Sequence, residues 1–363
     1  MSADLTTVAE RVVERTIALA AIPAPTGAEG ARAELVASWW RADGFADVRT
    51  DDAGNVWARA RFGDGPAVVL AAHLDTVFGE DVPHGVVRDG GRLRGPGVGD
   101  DAVGVVGIGA AAADLGASGP PVWLCATVGE EGLGNLRGIT AALEAPPAPV
   151  GVLLAVEGNY LGRISTVGVG SARRRVRIAG PGGHAWEAAG SPSAVHGAAE
   201  LVAALVAAPR PAGTTVNVGR IGGGEGINVR AREAWFDVDL RADDPSALAE
   251  LVRSLEGTIG TTQQPLRAEL EPIGDRPAGR LDPDAPLARA AEAALTAERI
   301  EVTRPATSTD ANAAHARGIP ALAIGITTGG GEHTTDEWID VAPIAAGVRA
   351  LAATIERYGE TPG

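Results

Sequence analysis

The chain has 363 residues, a length that suits two domains of roughly 150 residues each, and 45% of it is hydrophobic, enough for sizeable cores. Its 31 basic and 46 acidic residues leave a net charge of −15, which disfavours binding to a phosphate backbone. Every basic residue is Arg, so a Schiff-base lysine and the lysine of a phosphate-binding loop are excluded; the single cysteine, Cys125, excludes an intrachain disulfide framework and a cysteine-rich metal site.

The N-terminal segment mixes Asp4, Glu10 and Glu14 with Arg11 and Arg15 and does not read as a signal peptide. No apolar run reaches the roughly 18 residues of a membrane span. The expectation is a soluble, cytoplasmic protein without a membrane or nucleic-acid partner.

In chain order, residues 6–20 form an amphipathic pattern that stops before Pro23 and Pro25, and a second helix is expected near Ala31–Ala42. Short apolar runs follow, each ending in polar or glycine-rich sequence: Val68–Ala72 into His73, Val122–Val128 into Gly129-Glu130-Glu131, Val150–Val156 into Glu157, and Ala321–Ile326 into the segment that ends at His333. Continuous apolar strands suit a sheet covered on both faces. Ala-rich helical stretches such as Val103–Leu115 lie between them, so the expected class is α/β, with a mostly parallel sheet flanked by helices.

Residues 172–275 read differently. Strands at Arg173–Ile178, Thr214–Ile221, Glu233–Arg241 and Arg267–Ile273 alternate with helices at Ser193–Ala208 and Asp244–Glu256. The order βαββαβ is the ferredoxin-like pattern. A second domain, 172–275, is therefore expected inside a first domain made of 1–171 and 276–363. Cys125 lies in an apolar run and reads as a small buried hydrophobe.

The informative feature is where acids and histidines fall. His73, Glu130, Glu131, Glu157 and His333 each lie at or just beyond the C-terminal end of an expected strand, where ligands of open α/β sheets collect. His73-Leu74-Asp75 has the period-2 spacing that puts imidazole and carboxylate on one side of an extended chain. Read alone, it suits a structural hydrogen-bonded pair as well as a metal site. Asp100, after Gly95-Pro96-Gly97-Val98-Gly99, suits a helix N-cap or a carboxylate bridging two cations. Adjacent Glu130 and Glu131 could divide labour between metal binding and general-base work, or be a solvated loop pair. If Asp75, Asp100, Glu130, Glu131 and Glu157 converge, their like charges require a counter-charge. Two divalent cations would nearly supply it. Imidazole with carboxylate and no thiolate suits zinc, with cobalt or manganese possible.

At these residues the sequence resembles the M20 metallopeptidases, the group of tripeptidase T, glutamate carboxypeptidase, aminoacylase-1 and succinyl-diaminopimelate desuccinylase. The matching segments are His73-Leu74-Asp75-Thr76, Gly95–Asp100, Thr127–Gly132, Glu157-Gly158, Gly182-Gly183-His184 and His333–Glu337. The resemblance implies a zinc-exopeptidase-like catalytic domain with two metal ions and an inserted lid, through which a homodimer could form. It implies His73 and Glu157 as ligands of one metal, Glu131 and His333 of the other, and Asp100 as the bridge. Glu130 would be the general base acting on a metal-bridging water, and Asp75 would orient His73. His184 would polarise the scissile carbonyl from its own or a partner subunit, and Asn228 and Arg241 would hold a substrate carboxylate. A cis peptide bond is implied after Asp100. Many relatives read Asp-Met-Lys-Gly-Gly where this chain has Asp100-Asp101-Ala102-Val103-Gly104. His196 is expected to do no chemistry. The segments 127–138 and 329–338 resemble the tripeptidase-like branch most. The implied activity is hydrolysis of small peptides as an exopeptidase, with an N-acyl-amino-acid deacylase or carboxypeptidase as the alternative and an inactive peptide-binding homologue as a remote one.

Overall fold

The structure is a computed structural model and describes residues 2–360. The chain divides into two compact units, Met1–Gly168 with Arg280–Gly363, and Val169–Gly279.

The first unit is built on a six-stranded sheet. Its strands are β1 (Ala46–Thr50), β2 (Val56–Arg61), β3 (Ala67–His73), β4 (Val122–Thr127), β5 (Val150–Val156) and β6 (Ala321–Ile324), in the spatial order β1-β2-β4-β3-β5-β6. β4, β3, β5 and β6 are mutually parallel, and the β1-β2 hairpin adds an antiparallel edge. Side chains alternate across a strand, so β3 feeds both faces. Val68, Leu70 and Ala72 enter one core with Val12, Trp40, Ile108, Leu295 and Leu351 from helices Ser2–Ala20, Gly30–Ala42, Val103–Ala113, Pro286–Ala297 and Ile344–Gly359. Ala67, Val69 and Ala71 enter the other with Ile139 and Ala314 from helices Arg137–Glu144 and Ala311–His315. This double burial explains the uninterrupted apolar runs, since no residue of β3 or β4 faces water. Cys125 is fully buried in β4, and burial pushes its thiol up.

The element bounds differ from the sequence reading at their ends. The first helix begins at Ser2, β3 takes in His73 itself, and the last parallel strand stops at Ile324. Among the described residues no helix is long and apolar enough to cross a membrane.

The second unit carries a four-stranded antiparallel sheet, ordered 214–223, 233–242, 170–179, 267–276, with helices Ala194–Ala207 and Pro245–Gly260 packed on it. The chain order βαββαβ with this strand order is the ferredoxin-like arrangement. Asp244 caps the second helix by accepting from the Ser246 and Ala247 amides, with Pro245 in the first turn.

Candidate metal centre at the carboxyl end of the sheet

β3, β4 and β5 are parallel, so their C-terminal ends share one edge of the sheet. His73 ends β3, Glu130 and Glu131 follow β4 by a few residues, and Glu157 directly follows β5. The segment after β6 brings His333. Asp100 comes from the turn ahead of helix Val103–Ala113. There Gly97 has φ +68°, and a Cβ on it would stand 2.7 Å from the Thr76 side chain, so the turn requires glycine.

These residues meet. Asp100 divides its two oxygens: Oδ1 lies 2.8 Å from His73 Nε2, and Oδ2 lies 3.2 Å from His333 Nε2. Glu131 Oε1 is also 3.2 Å from His333 Nε2, and Glu157 Oε2 is 4.0 Å from His73 Nε2. Among the described residues, three trios have one donor atom apiece mutually within 4.8 Å: His73, Asp100 and Glu157; Asp100, Glu131 and His333; and His73, Glu130 and Glu131. Asp100 is common to the first two. Asp100 therefore does not cap the helix, whose N-cap position is Ala102. His333 has φ +63°, a backbone state that non-glycine residues adopt at some cost and mostly where surrounding structure imposes it.

The electrostatics follow from this crowding. Burial pushes the Glu157 carboxyl up, and the Asp101 charge beside it adds to the effect. Burial also opposes ionisation of Asp100, but hydrogen bonds to His333 and His73 outweigh it and hold that carboxyl low. His333, hydrogen-bonded to Asp100 and Glu131, is raised to about 10. Burial would lower His73, but its hydrogen bond to Asp100 and the nearby Asp75 carboxylate raise it. The carboxylates thus draw positive charge onto both imidazoles.

Asp75 is fully buried, but its carboxylate is not within hydrogen-bond distance of His73. Oδ1 is 3.6 Å from Nδ1, and Nδ1 instead meets the Asp75 carbonyl at 3.0 Å. The carboxylate accepts from the backbone N–H groups of Glu130 and Glu131, both at 2.9 Å, and from the Thr26 hydroxyl at 2.8 Å. Asp75 thus faces the His73 imidazole mainly through its carbonyl, and its carboxylate also holds the loop carrying Glu130 and Glu131. Two factors favour the ionised form. Burial raises its pKa, but His73 and the two amides bring it down to about 2.

Three further buried acids, to which the sequence reading gave no role, surround the centre. Asp101 accepts from His73 N at 3.0 Å and Gly158 N at 2.8 Å, and the Asp100–Asp101 bond is cis. Gly104 leaves the room for this carboxylate, since a Cβ there would stand 1.9 Å from Oδ1. Glu337 accepts from the N–H groups of Gly97, Gly99 and Asp100 at 2.7–2.8 Å, and burial raises its carboxyl to about 8. Glu29 accepts from Gly27 N, Gly129 N and the Arg137 guanidinium. The only hint of Glu337 in the sequence was its place at the end of the His333–Glu337 segment. The fully buried Arg32 donates to the carbonyls of Ile22, Leu74 and Ala20. Burial lowers it to about 10, while the charges of Asp75, Glu337 and Asp101 favour its cation. Asn159 Nδ2 reaches Glu332 Oε1 at 2.8 Å, tying the loop after Glu157 to the one carrying His333.

His184, Asn228 and Arg241 belong to the second unit. His184 is exposed in a two-residue strand paired with Val229–Arg230, and its Nδ1 faces the amides of Trp186 and Glu187. Asn228 is exposed beside that pairing, and its carbonyl accepts from Ala185 N. Arg241 lies one residue before the end of the 233–242 strand, with its Nε donating to Asp239 at 2.9 Å. His196 is exposed on helix Ala194–Ala207.

The family model "Peptidase family M20/M25/M40" matches residues 69–357, a span that includes every residue of the three trios. The chain belongs to this family. A relative, a protein assigned as a LysW-lysine/LysW-ornithine hydrolase from Pyrobaculum aerophilum, is 30% identical over 337 residues, covering 87% of this chain and 89% of the relative. Among solved structures, the aminopeptidase PepT of Bacillus cereus superposes with a TM-score of 0.80 at 21% identity, covering 97% of this chain and 99% of that one. A tripeptidase of Staphylococcus aureus gives 0.81 at 19% identity with the same coverages. A Bacillus subtilis protein described as a dinuclear metal binding peptidase of the M20 family gives 0.72 at 17%, covering 98% and 100%. These likenesses show that the fold is that of M20 peptidases, and the family makes the chain a metallopeptidase-type hydrolase.

Proposed function

We propose that the chain is a di-metal amide hydrolase acting on small peptides as an exopeptidase. The observation that carries the reading is the division of the Asp100 oxygens between His73 and His333. One carboxylate shared between two imidazoles, each with its own further carboxylate, is the donor arrangement for two adjacent cations. The donor chemistry fits: His73, Asp100 and Glu157 would hold one cation, Asp100, Glu131 and His333 the other. Carboxylate with imidazole and no thiolate suits zinc, with cobalt or manganese as substitutes. When bound, the cations supply Lewis-acid polarisation of the amide carbonyl and acidify the attacking water.

The remaining steps belong to the protein. Glu130, whose carboxylate groups with His73 and Glu131, would accept the proton of the attacking water and pass it to the leaving amine. Asp75 holds the Glu130 and Glu131 amides, so base and ligand are presented from one fixed loop. By family resemblance, His184 is assigned to the scissile carbonyl and Asn228 and Arg241 to a substrate carboxylate.

The fold likeness to PepT and the tripeptidase supports small peptides as substrates. The higher identity to the LysW-lysine/LysW-ornithine hydrolase supports a second reading, release of an amino acid from an amide conjugate, which includes N-acyl amino acids. Turnover of tripeptides measured beside N-acetyl and N-succinyl amino acids separates the two. Glu130→Gln should reduce turnover about 10²–10⁴-fold with both cations still bound. Retained turnover would remove Glu130 from its role.

A further inference from the structure

Each of the loops that present Asp100, Glu131 and Glu157 is held by a buried carboxylate that is not itself in either proposed ligand set. Glu337 takes three amides of the Gly97–Asp100 turn, Glu29 takes Gly129 N, Asp75 takes the next two, and Asp101 takes His73 N and Gly158 N. These contacts differ in what they control. The turn held by Glu337 ends in Asp100, the residue shared by the two trios. The loop held by Glu29 leads only into Glu130 and Glu131.

We propose that Glu337 is a positioning residue that sets the affinity of both cation positions at once, while Glu29 acts on the Glu131 position alone. The inference rests on the di-metal reading above. Its physical basis is the number of donors each carboxylate satisfies. Glu337 Oε2 accepts Gly97 N at 2.7 Å, and Oε1 accepts Gly99 N at 2.8 Å and Asp100 N at 2.7 Å. Both oxygens are needed as acceptors. A carboxamide offers one acceptor and turns a donor toward the other amide, leaving a buried N–H without a partner. The turn then loses the restraint that aims the Asp100 oxygens in two directions. Glu29 is 4% exposed, and its Oε1 accepts Gly129 N at 3.0 Å while Arg137 Nη2 closes on both oxygens at 3.0 Å. Removing it frees the Gly129 end of the loop and leaves the Asp100 turn untouched. Partners behind metal ligands commonly change affinity 10–100-fold.

The test is calorimetric titration of zinc into chelator-stripped wild type, Glu337→Gln and Glu29→Ala. The expected result is a loss of about 10–100-fold in both binding steps for Glu337→Gln. Glu29→Ala should show a comparable loss in one step, with the other within about twofold of wild type. A merely structural role would lower thermal stability in both variants without this two-against-one pattern. Glu337→Gln binding either cation with wild-type affinity, or Glu29→Ala weakening both, overturns the proposal. Should Glu337→Gln fail to fold, Gly99→Ala reaches the same cradle from the other side, since its Cβ would stand 2.8 Å from Glu337 Oε1. Amide hydrogen exchange on the metal-free proteins gives a readout that needs no cation. Glu337→Gln should lose protection at Gly97, Gly99 and Asp100 and keep it at Gly129, and Glu29→Ala should do the reverse; the same pattern in both variants overturns the proposal. A wild type that binds no cation would defeat the di-metal reading, and the exchange pattern would still decide the positioning role.

Discussion

Asp75 and Glu130 are joined through the backbone: Oδ1 of Asp75 accepts the Glu130 N–H at 2.9 Å, so the carboxylate next to the His73 strand end fixes the start of the loop that carries the proposed base. The imidazole of His73 depends on the same residue through its carbonyl, at 3.0 Å from Nδ1. One residue therefore supports a proposed ligand with its main chain and the proposed base with its side chain.

That division predicts the outcome of Asp75→Asn. The carbonyl stays, so His73 keeps that partner and the cation at the His73 position should remain, whereas the Glu131 position should weaken, because the Glu131 amide is one of the two that the Asp75 carboxylate holds. The carboxamide cannot accept from both amides, so Glu130 should be displaced and kcat should fall about 10–100-fold. Metal analysis alongside steady-state kinetics checks this. Loss of the cation at the His73 position as well, with kcat of the loaded enzyme unchanged, would mean that the Asp75 carboxylate acts mainly through His73.

The two trios predict stoichiometry. Glu157→Ala removes a donor from the His73 position only, and His333→Ala removes one from the Glu131 position only. Each variant should retain one tightly held cation after dialysis, whereas Asp100→Ala should retain neither. Elemental analysis of the dialysed proteins reads this directly. Two retained ions in His333→Ala, or none in Glu157→Ala, would contradict the assignment of one donor set to each ion.

A pH dependence is expected at His315, which closes the short helix Ala311–His315. Burial lowers its pKa to about 4, and its Nε2 is buried without a hydrogen-bond partner. The folded pKa lies below the value of about 6.5 for an unfolded chain. Between pH 4 and 6.5 the unfolded chain binds more protons, so stability rises with pH across that window. The contribution is full above about pH 6.5 and is lost as pH falls toward 4. Because the residue is only half-buried, the effect is discounted for solvent screening to on the order of 1–2 kcal/mol. Thermal melts of the metal-free protein at pH 7 and pH 5 should show a smaller drop for His315→Gln than for wild type. Equal drops would assign the acid sensitivity elsewhere.

The parallel strands were legible in the sequence because burial on both faces forces uninterrupted apolar runs, as in Ala67–His73 and Val122–Thr127. Their ends were less legible, since a strand continues as long as its neighbour offers hydrogen bonds. His73 pairs with Thr127 and so belongs to β3, although its side chain is polar. The proposed ligands could be read because titratable groups at the ends of apolar runs break the local pattern. Glu29, Asp101 and Glu337 break no pattern, and their work is done on backbone amides far away in the chain. Glu29 reaches Gly129 across 100 positions, and Glu337 reaches Gly97 across 240.

The amino-acid order alone determined the sheet, the ferredoxin-like insertion and the set of acids and imidazoles gathered at one edge, because these follow from the periodicity of burial and from where charge interrupts it. Tertiary structure decided how those groups share their bonds: that Asp100 faces two imidazoles, that Asp75 spends its carboxylate on amides, and that further buried acids hold the turns. A hydrogen bond to a backbone N–H is indifferent to the donor's side chain, so such partners leave no mark in the sequence of the segment they hold.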